Sequence, residues 1–183
     1  MEDCDDANVI ETDECDTDCK TVVHRKVFVS SGKYDGNLGG LSGADIRCNT
    51  LAQLVGLSGT FKAWLSDAAT GPADRFDTSF TGVYELIDGS IVAHGWADLT
   101  DGSLMHAIDL SEKNAPLDTA VWTSTDPSGG PNGTDHCLDW TSSQVALDGW
   151  YGFSSASDTS WTQSLEGLPC SSAVNIYCFE DPD

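Results

Sequence analysis

Leu41-Ser42-Gly43-Ala44-Asp45-Ile46-Arg47-Cys48, continued by Phe61-Lys62-Ala63-Trp64-Leu65-Ser66-Asp67, is the stretch that sets the fold class. Ala44, Cys48, Leu51, Ala52 and Val55 recur at helical spacing and form one apolar stripe. Ser42 is the expected N-cap, Asp45 falls in the first turn, and Gly56 can take the left-handed conformation that ends a helix. After the Gly56-Leu57-Ser58-Gly59 turn, Thr60 to Leu65 alternates with period two, which predicts a strand. A helix that carries a cysteine and leads into a strand ending in Trp-Leu opens a mixed α+β domain.

Upstream, Lys26 to Ser31 reads as the first strand, with residues 21–27 as the junction into it. Downstream, Pro72 and its small, polar neighbours between Ala68 and Thr81 mark a loop. Tyr84 to Ile87 and Ser90 to Ala93 flank Asp88-Gly89, the pattern of a hairpin closed by a two-residue turn. Leu104 to Leu110 is expected to be a short strand and Ala120 to Ser124 a core strand. Thr125 to Thr134 must be a loop, Cys137 to Thr141 resumes extended structure, and Cys170 to Glu180 supplies the closing strand.

A chain of 183 residues suits one domain with a short appendage and can bury a core. No apolar run approaches the length of a membrane span. The acidic, polar N-terminus does not read as a leader peptide, so the chain is expected to be a piece of a longer secreted or cell-surface protein. A formal net charge of −22 opposes binding to nucleic acid, sulfated polymers and anionic membranes. It suits divalent cations, basic partners, or simply a well-hydrated surface. Seven cysteines point to an oxidising compartment. They fall into two groups: Cys4, Cys15 and Cys19, then Cys48, Cys137, Cys170 and Cys178. Four cysteines allow three pairings, and spacing alone does not choose among them.

Gly43-Ala44-Asp45, the helix cysteine and Gly56-Leu57-Ser58-Gly59-Thr60-Phe61 resemble the corresponding part of endostatin, the lectin-like domain at the end of collagen XVIII. The closing Cys178-Phe179-Glu180 matches endostatin's final Cys-x-Glu. Asn37-Leu38-Gly39-Gly40, the Phe61 to Asp67 run and Trp96 to Gly102 resemble a family of secreted bacterial lectin-like domains of unknown function. This resemblance implies a C-type-lectin-like α+β fold over residues 21–183, with one principal helix, short antiparallel strands and long loops. It also implies nested disulfides, Cys48–Cys178 outside and Cys137–Cys170 inside. Residues 1–20 resemble the latter half of a myxobacterial disulfide repeat, with Ala7 where that repeat has glycine. In such a repeat the odd cysteine has its mate further upstream.

In calcium-dependent lectins two acidic motifs chelate the ion that grips the sugar. Asp126-Pro127-Ser128 stands where the first would be, but Thr159-Ser160-Trp161-Thr162-Gln163 has no carboxylate after its tryptophan. A different calcium site remains open in the acidic loops, with Asp98, Asp101, Asp126, Asn132 and Asp135 as candidate oxygen ligands. Zinc is not carried over from endostatin, because His24 alone cannot supply the ligand set. Trp150, Tyr151 and Phe153, in a glycine-flanked segment expected to be loop-like, could stack a ligand without metal; the favoured alternative is that two of them plug the core. No His-Glu-x-x-His or Gly-x-Ser-x-Gly pattern supports catalysis. The expected function is a non-catalytic extracellular recognition or adhesion module for a glycan or protein ligand. The alternative is a self-associating structural module such as a spacer, cap or filament subunit.

Overall fold

A computed structural model describes residues 21–182. The expected disulfide repeat, with Cys4, Cys15 and Cys19, lies outside the described residues.

Strands β1 (His24–Val29) and β8 (Asn175–Glu180) form the centre of an eight-stranded sheet. Both are buried on two faces, which explains why Val27-Phe28-Val29 and Ile176-Tyr177-Cys178-Phe179 read as unbroken apolar runs rather than alternating ones. Tyr177 and Phe179 enter one hydrophobic cluster with Val27, Val29, Trp64 and Trp161. Ile176 and Cys178 enter the other, with Phe28, Phe61, Trp122 and Trp140.

The strand order is β4-β3-β1-β8-β5-β6-β7, with β2 also beside β8. These are β2 (Phe61–Ala63), β3 (Val83–Glu85), β4 (Ile91–His94), β5 (Ala120–Trp122), β6 (Asp148–Phe153) and β7 (Gly167–Pro169). The expectation of antiparallel pairing throughout is corrected: β1–β3 and β5–β8 are parallel, and the sheet is mixed. The crossing chain brings sequence-distant segments alongside β1 and β8, which local patterning does not encode.

The principal helix, α1 (Gly40–Leu54), lays Ala44, Cys48 and Ala52 on the core at four-residue spacing. Gly56 takes φ +78°, and the Leu57 amide donates back to the Ala52 carbonyl at 3.0 Å, so the helix ends as its sequence predicts. Its start differs. Gly39 is the N-cap, with φ 83° and no side-chain cap, and Ser42 lies inside the helix. Asp45 therefore falls beyond the first turn and serves as an acceptor for its neighbours.

The outer edge of β2 meets α1 instead of a strand. Asn49 accepts from the Phe61 amide (2.9 Å) and donates to the Phe61 carbonyl (2.6 Å). Asp45 accepts from the Ala63 amide (2.8 Å). Arg75, at the end of α2 (Pro72–Arg75), donates to the Ala63 carbonyl (3.2 Å) and to Asp45 (2.6 Å). Side chains thus satisfy a backbone edge that would otherwise be open to another strand.

Both inner-domain disulfides form with the nested pairing. Cys48–Cys178 ties α1 to β8 and Cys137–Cys170 ties the turn at Cys137–Trp140 to the end of β7, with Cα separations of 5.4 and 5.6 Å. Closing loops of 130 and 33 residues stabilises by about 5 and 4 kcal/mol in the chain-entropy model.

Three local expectations are corrected. Between β3 and β4 the Gly89 amide donates to the Leu86 carbonyl (3.0 Å), and only Gly89 has positive φ. The connection is thus a longer turn than the expected two-residue one, with Asp88 capping the Ser90 amide (2.9 Å). Residues 104–110 form no strand: Leu104 and Leu110 take single backbone bonds to Ser157 and Val29. Cys137 to Trp140 is not extended but a left-handed turn, with φ of 52, 52, 52 and 61°. Such a turn costs about 1–2 kcal/mol per residue. It is held by the Cys137 disulfide, by Asp139 accepting from the Ala68 amide (3.0 Å), and by the Trp140 indole donating to the Ser66 carbonyl (2.7 Å). Among the described residues, no helix is long and apolar enough to cross a membrane.

Candidate functional site

β6 pairs with β5 through residues 151–153 on one edge, and with β7 through residues 148–150 on the other. Beyond β7 the chain at 160–166 runs beside the free half of that second edge, and the Ser164 amide donates to the Tyr151 carbonyl at 2.8 Å. Gly152 permits this approach: a Cβ there would collide with the Trp161 carbonyl oxygen. The segment expected to be loop-like is therefore a strand, and its glycines serve close packing.

Strand alternation separates the three aromatics. Tyr151 and Phe153 share a face and meet edge-to-face, ring centres 5.2 Å apart. Trp150 turns to the opposite face, where its Nε1 lies beside Gly133 in the 125–134 loop and finds no hydrogen-bond partner among the described residues. The candidate platform is thus reduced from three rings to two.

Tyr151 and Phe153 line an open pocket of about 390 Å³, completed by Ser160, Gln163, Ser164, Leu165 and Glu166. Leu165 is 94% exposed and Phe153 40%, so the apolar rim projects into water. The polar lining is largely occupied. The Ser164 hydroxyl donates to the Glu166 carbonyl (2.6 Å), the Gln163 amide donates to Asn132 (3.2 Å), and the Ser160 hydroxyl donates to Asp158. That last bond holds the Asp158 carboxyl below its ordinary range. The exposed Glu166 carboxylate has no partner among the described residues. Sequence reasoning found the two rings but not Leu165, Gln163 or Glu166. Nothing in Gln-Ser-Leu-Glu-Gly marks it as half of a pocket until β6 is placed beside it.

The candidate calcium ligands are dispersed into local turns. Asp98 accepts from the His94 amide (2.7 Å), and Asp101 from the Ser103 amide (2.9 Å) and hydroxyl (3.1 Å). One oxygen of Asp126 accepts from the Ser128 amide, the Ser128 hydroxyl and the Gly130 amide, at 2.6 to 3.0 Å. Asn132 bonds to Gln163, and Asp135 uses its backbone carbonyl toward Ser124 and Trp150. Among the described residues, no three His, Cys, Asp or Glu side chains converge to hold a metal ion.

The remaining shifted ionisations belong to the scaffold. Burial pushes Tyr84 up to about 12 and Tyr177 well above its ordinary value. Burial alone would raise Glu85, but hydrogen bonds from Lys26 and His24 outweigh it and hold the carboxyl low. Asp77 is held low by Ser79 first and Arg25 second. A buried hydroxyl network of Ser66, Thr123, Thr125 and Thr162 supports the start of the 125–134 loop, including a 2.8 Å Ser66–Thr125 contact.

Fold and site together define a disulfide-stapled α+β domain with an aromatic pocket at one end of its sheet. No family model matches the chain.

Proposed function

We propose that this chain is a non-catalytic recognition or adhesion module of the C-type-lectin-like, endostatin-like kind. It works outside the cell on a longer secreted or surface protein. The ligand is a glycan or an extracellular protein, and it is held between β6 and residues 160–166. The observation that carries the reading is the pairing of Tyr151 with Phe153 on an open face beside the 94%-exposed Leu165. Concave aromatic surfaces are where ligands gain contact area. The resemblance of residues 37–67 to endostatin and to the bacterial lectin-like domains, together with two disulfides, supports the fold and the extracellular setting. It does not supply the ligand, because one fold hosts many functions.

The same exposed leucine favours a second reading, in which the pocket receives another copy of this chain in a structural assembly. One experiment separates the two. The protein and its Phe153→Ala and Leu165→Ser variants are applied to glycan and peptide arrays, and their sedimentation is measured over a wide concentration range. Recognition predicts array signals that both variants lose, from a protein that sediments as a monomer. Concentration-dependent association abolished by the variants, with a blank array, would replace recognition with assembly.

A further inference from the structure

We infer that the ligand is an arginine-bearing, partly apolar segment of another protein, its guanidinium stacked on Tyr151 and paired with Glu166. This rests on the reading of the β6 pocket as a recognition site, and it chooses between the ligand classes left open there. The choice follows from which polar groups remain free. Ser160, Ser164 and the Gln163 amide nitrogen each donate inside the domain. What the lining still offers is the Glu166 carboxylate and the Gln163 side-chain oxygen, which only accept, and the Tyr151 hydroxyl, which donates or accepts. A neutral sugar would leave the Glu166 carboxylate, the one charged group in the lining, without a counter-ion. A guanidinium donates only, through a planar fork, and it stacks on aromatic faces. The pocket pairs an aromatic face with an unpaired carboxylate, which suits that ion.

Charge complementarity supports the same occupant. The chain carries −22, and no lysine or arginine lines the pocket. Most described bases are engaged elsewhere. Arg25 and Lys62 pair with Asp181, Lys26 with Glu85, Arg75 with Asp45 and Lys113 with Glu112, while Arg47 lies over the Tyr34 ring. The acidic excess therefore draws a cation toward a site with no internal counter-ion. Phe153 and Leu165 at the rim give apolar contact to residues flanking the arginine, which a free small cation would leave unused.

The test uses the disulfide-intact protein and calorimetric titration with a short capped peptide carrying arginine between leucines. The other probes are the same peptide with neutral citrulline, arginine amide alone, and a neutral oligosaccharide. The arginine peptide should bind, citrulline should weaken binding about tenfold, and arginine amide should bind more weakly still. Glu166→Gln should weaken the peptide about three- to fivefold, as loss of an exposed charge pair does. Leu165→Ser and Phe153→Ala should each weaken it about fivefold or more. Asp88→Asn, in the exposed β3–β4 turn at the far end of the sheet, should change nothing. The inference is overturned if the citrulline peptide binds equally well. It is also overturned if Asp88→Asn weakens binding as much as Glu166→Gln, which marks diffuse charge attraction. Oligosaccharide binding lost in Phe153→Ala, with no arginine preference, overturns the inference and leaves the recognition reading standing. Binding that no pocket variant alters, for every probe and every array ligand, removes both.

Discussion

Replacing Asn49 by alanine should unlatch β2 from α1. The Asn49 side chain supplies both hydrogen bonds that Phe61 would otherwise make to a neighbouring strand, at 2.9 and 2.6 Å, and also donates to the Asp45 carbonyl at 2.8 Å. Phe61 is fully buried, and β2 spends its inward hydrogen bonds on β8. Truncation leaves one amide and one carbonyl unpaired, at about 1–3 kcal/mol each. Alanine returns about 0.6 kcal/mol of helix propensity. The net loss is about 1–5 kcal/mol, a large share of the ~5–15 kcal/mol that stabilises a typical domain. Urea unfolding followed by tryptophan fluorescence, without reductant, reads this directly, because Trp64 follows β2 and is buried in the native state. Thr50→Ala, which removes only an exposed bond to the Ile46 carbonyl, is the matched control and should stay within about 0.5 kcal/mol of the parent. An Asn49→Ala midpoint indistinguishable from that control would refute the role assigned to the latch.

Further outcomes follow from other sites. Leu138→Gly relieves a left-handed residue whose side chain is 56% exposed, and should stabilise by about 1 kcal/mol in the same unfolding assay; destabilisation would mean that the leucine side chain contributes more than the strained backbone costs. Burial raises Tyr84 from 10.0 to about 12, so its contribution is complete below pH 10 and is lost as the pH rises toward 12. Tyr84→Phe should accordingly make thermal melts fall less steeply over that window, and an unchanged slope would contradict the assignment. Asp98, Asp101 and Asp126 spend oxygens on their own turns, so melts in calcium, magnesium and chelator should superimpose at fixed ionic strength. A rise specific to calcium would show a site that these turns do not account for.

The elements legible in the sequence were those whose cause is local. The α1 stripe of Ala44, Cys48 and Ala52, its Gly56 end and the Ala120 to Trp122 strand all follow from periodicity and glycine chemistry. The disulfide pairing came from resemblance, since spacing left three choices. What misled was non-local. Ser42 is a good N-cap residue, yet the Gly39-Gly40 pair starts the helix earlier, with the Gly39 amide held by the Trp140 carbonyl at 3.0 Å. Cys-Leu-Asp-Trp carries no preference for left-handed backbone; a disulfide and two long-range hydrogen bonds impose it. The candidate site was half legible. Alternation along β6 could have separated Trp150 from Tyr151 and Phe153 had residues 148–153 been read as a strand, but Gly149 and Gly152 argued for a loop. The 160–166 half of the pocket depends on chain crossing near Gly152, which has no local signature.

Where a ligand lands on the domain is most directly measured by two-dimensional NMR of the isotope-labelled, disulfide-intact protein during titration with the arginine peptide. The predicted result is a saturable set of shifts confined to the amides of β6 and residues 160–166 and to the Gln163 side-chain amide. Shifts spread over the acidic turns at Asp88, Asp101 and Asp126, with β6 unmoved, would contradict it.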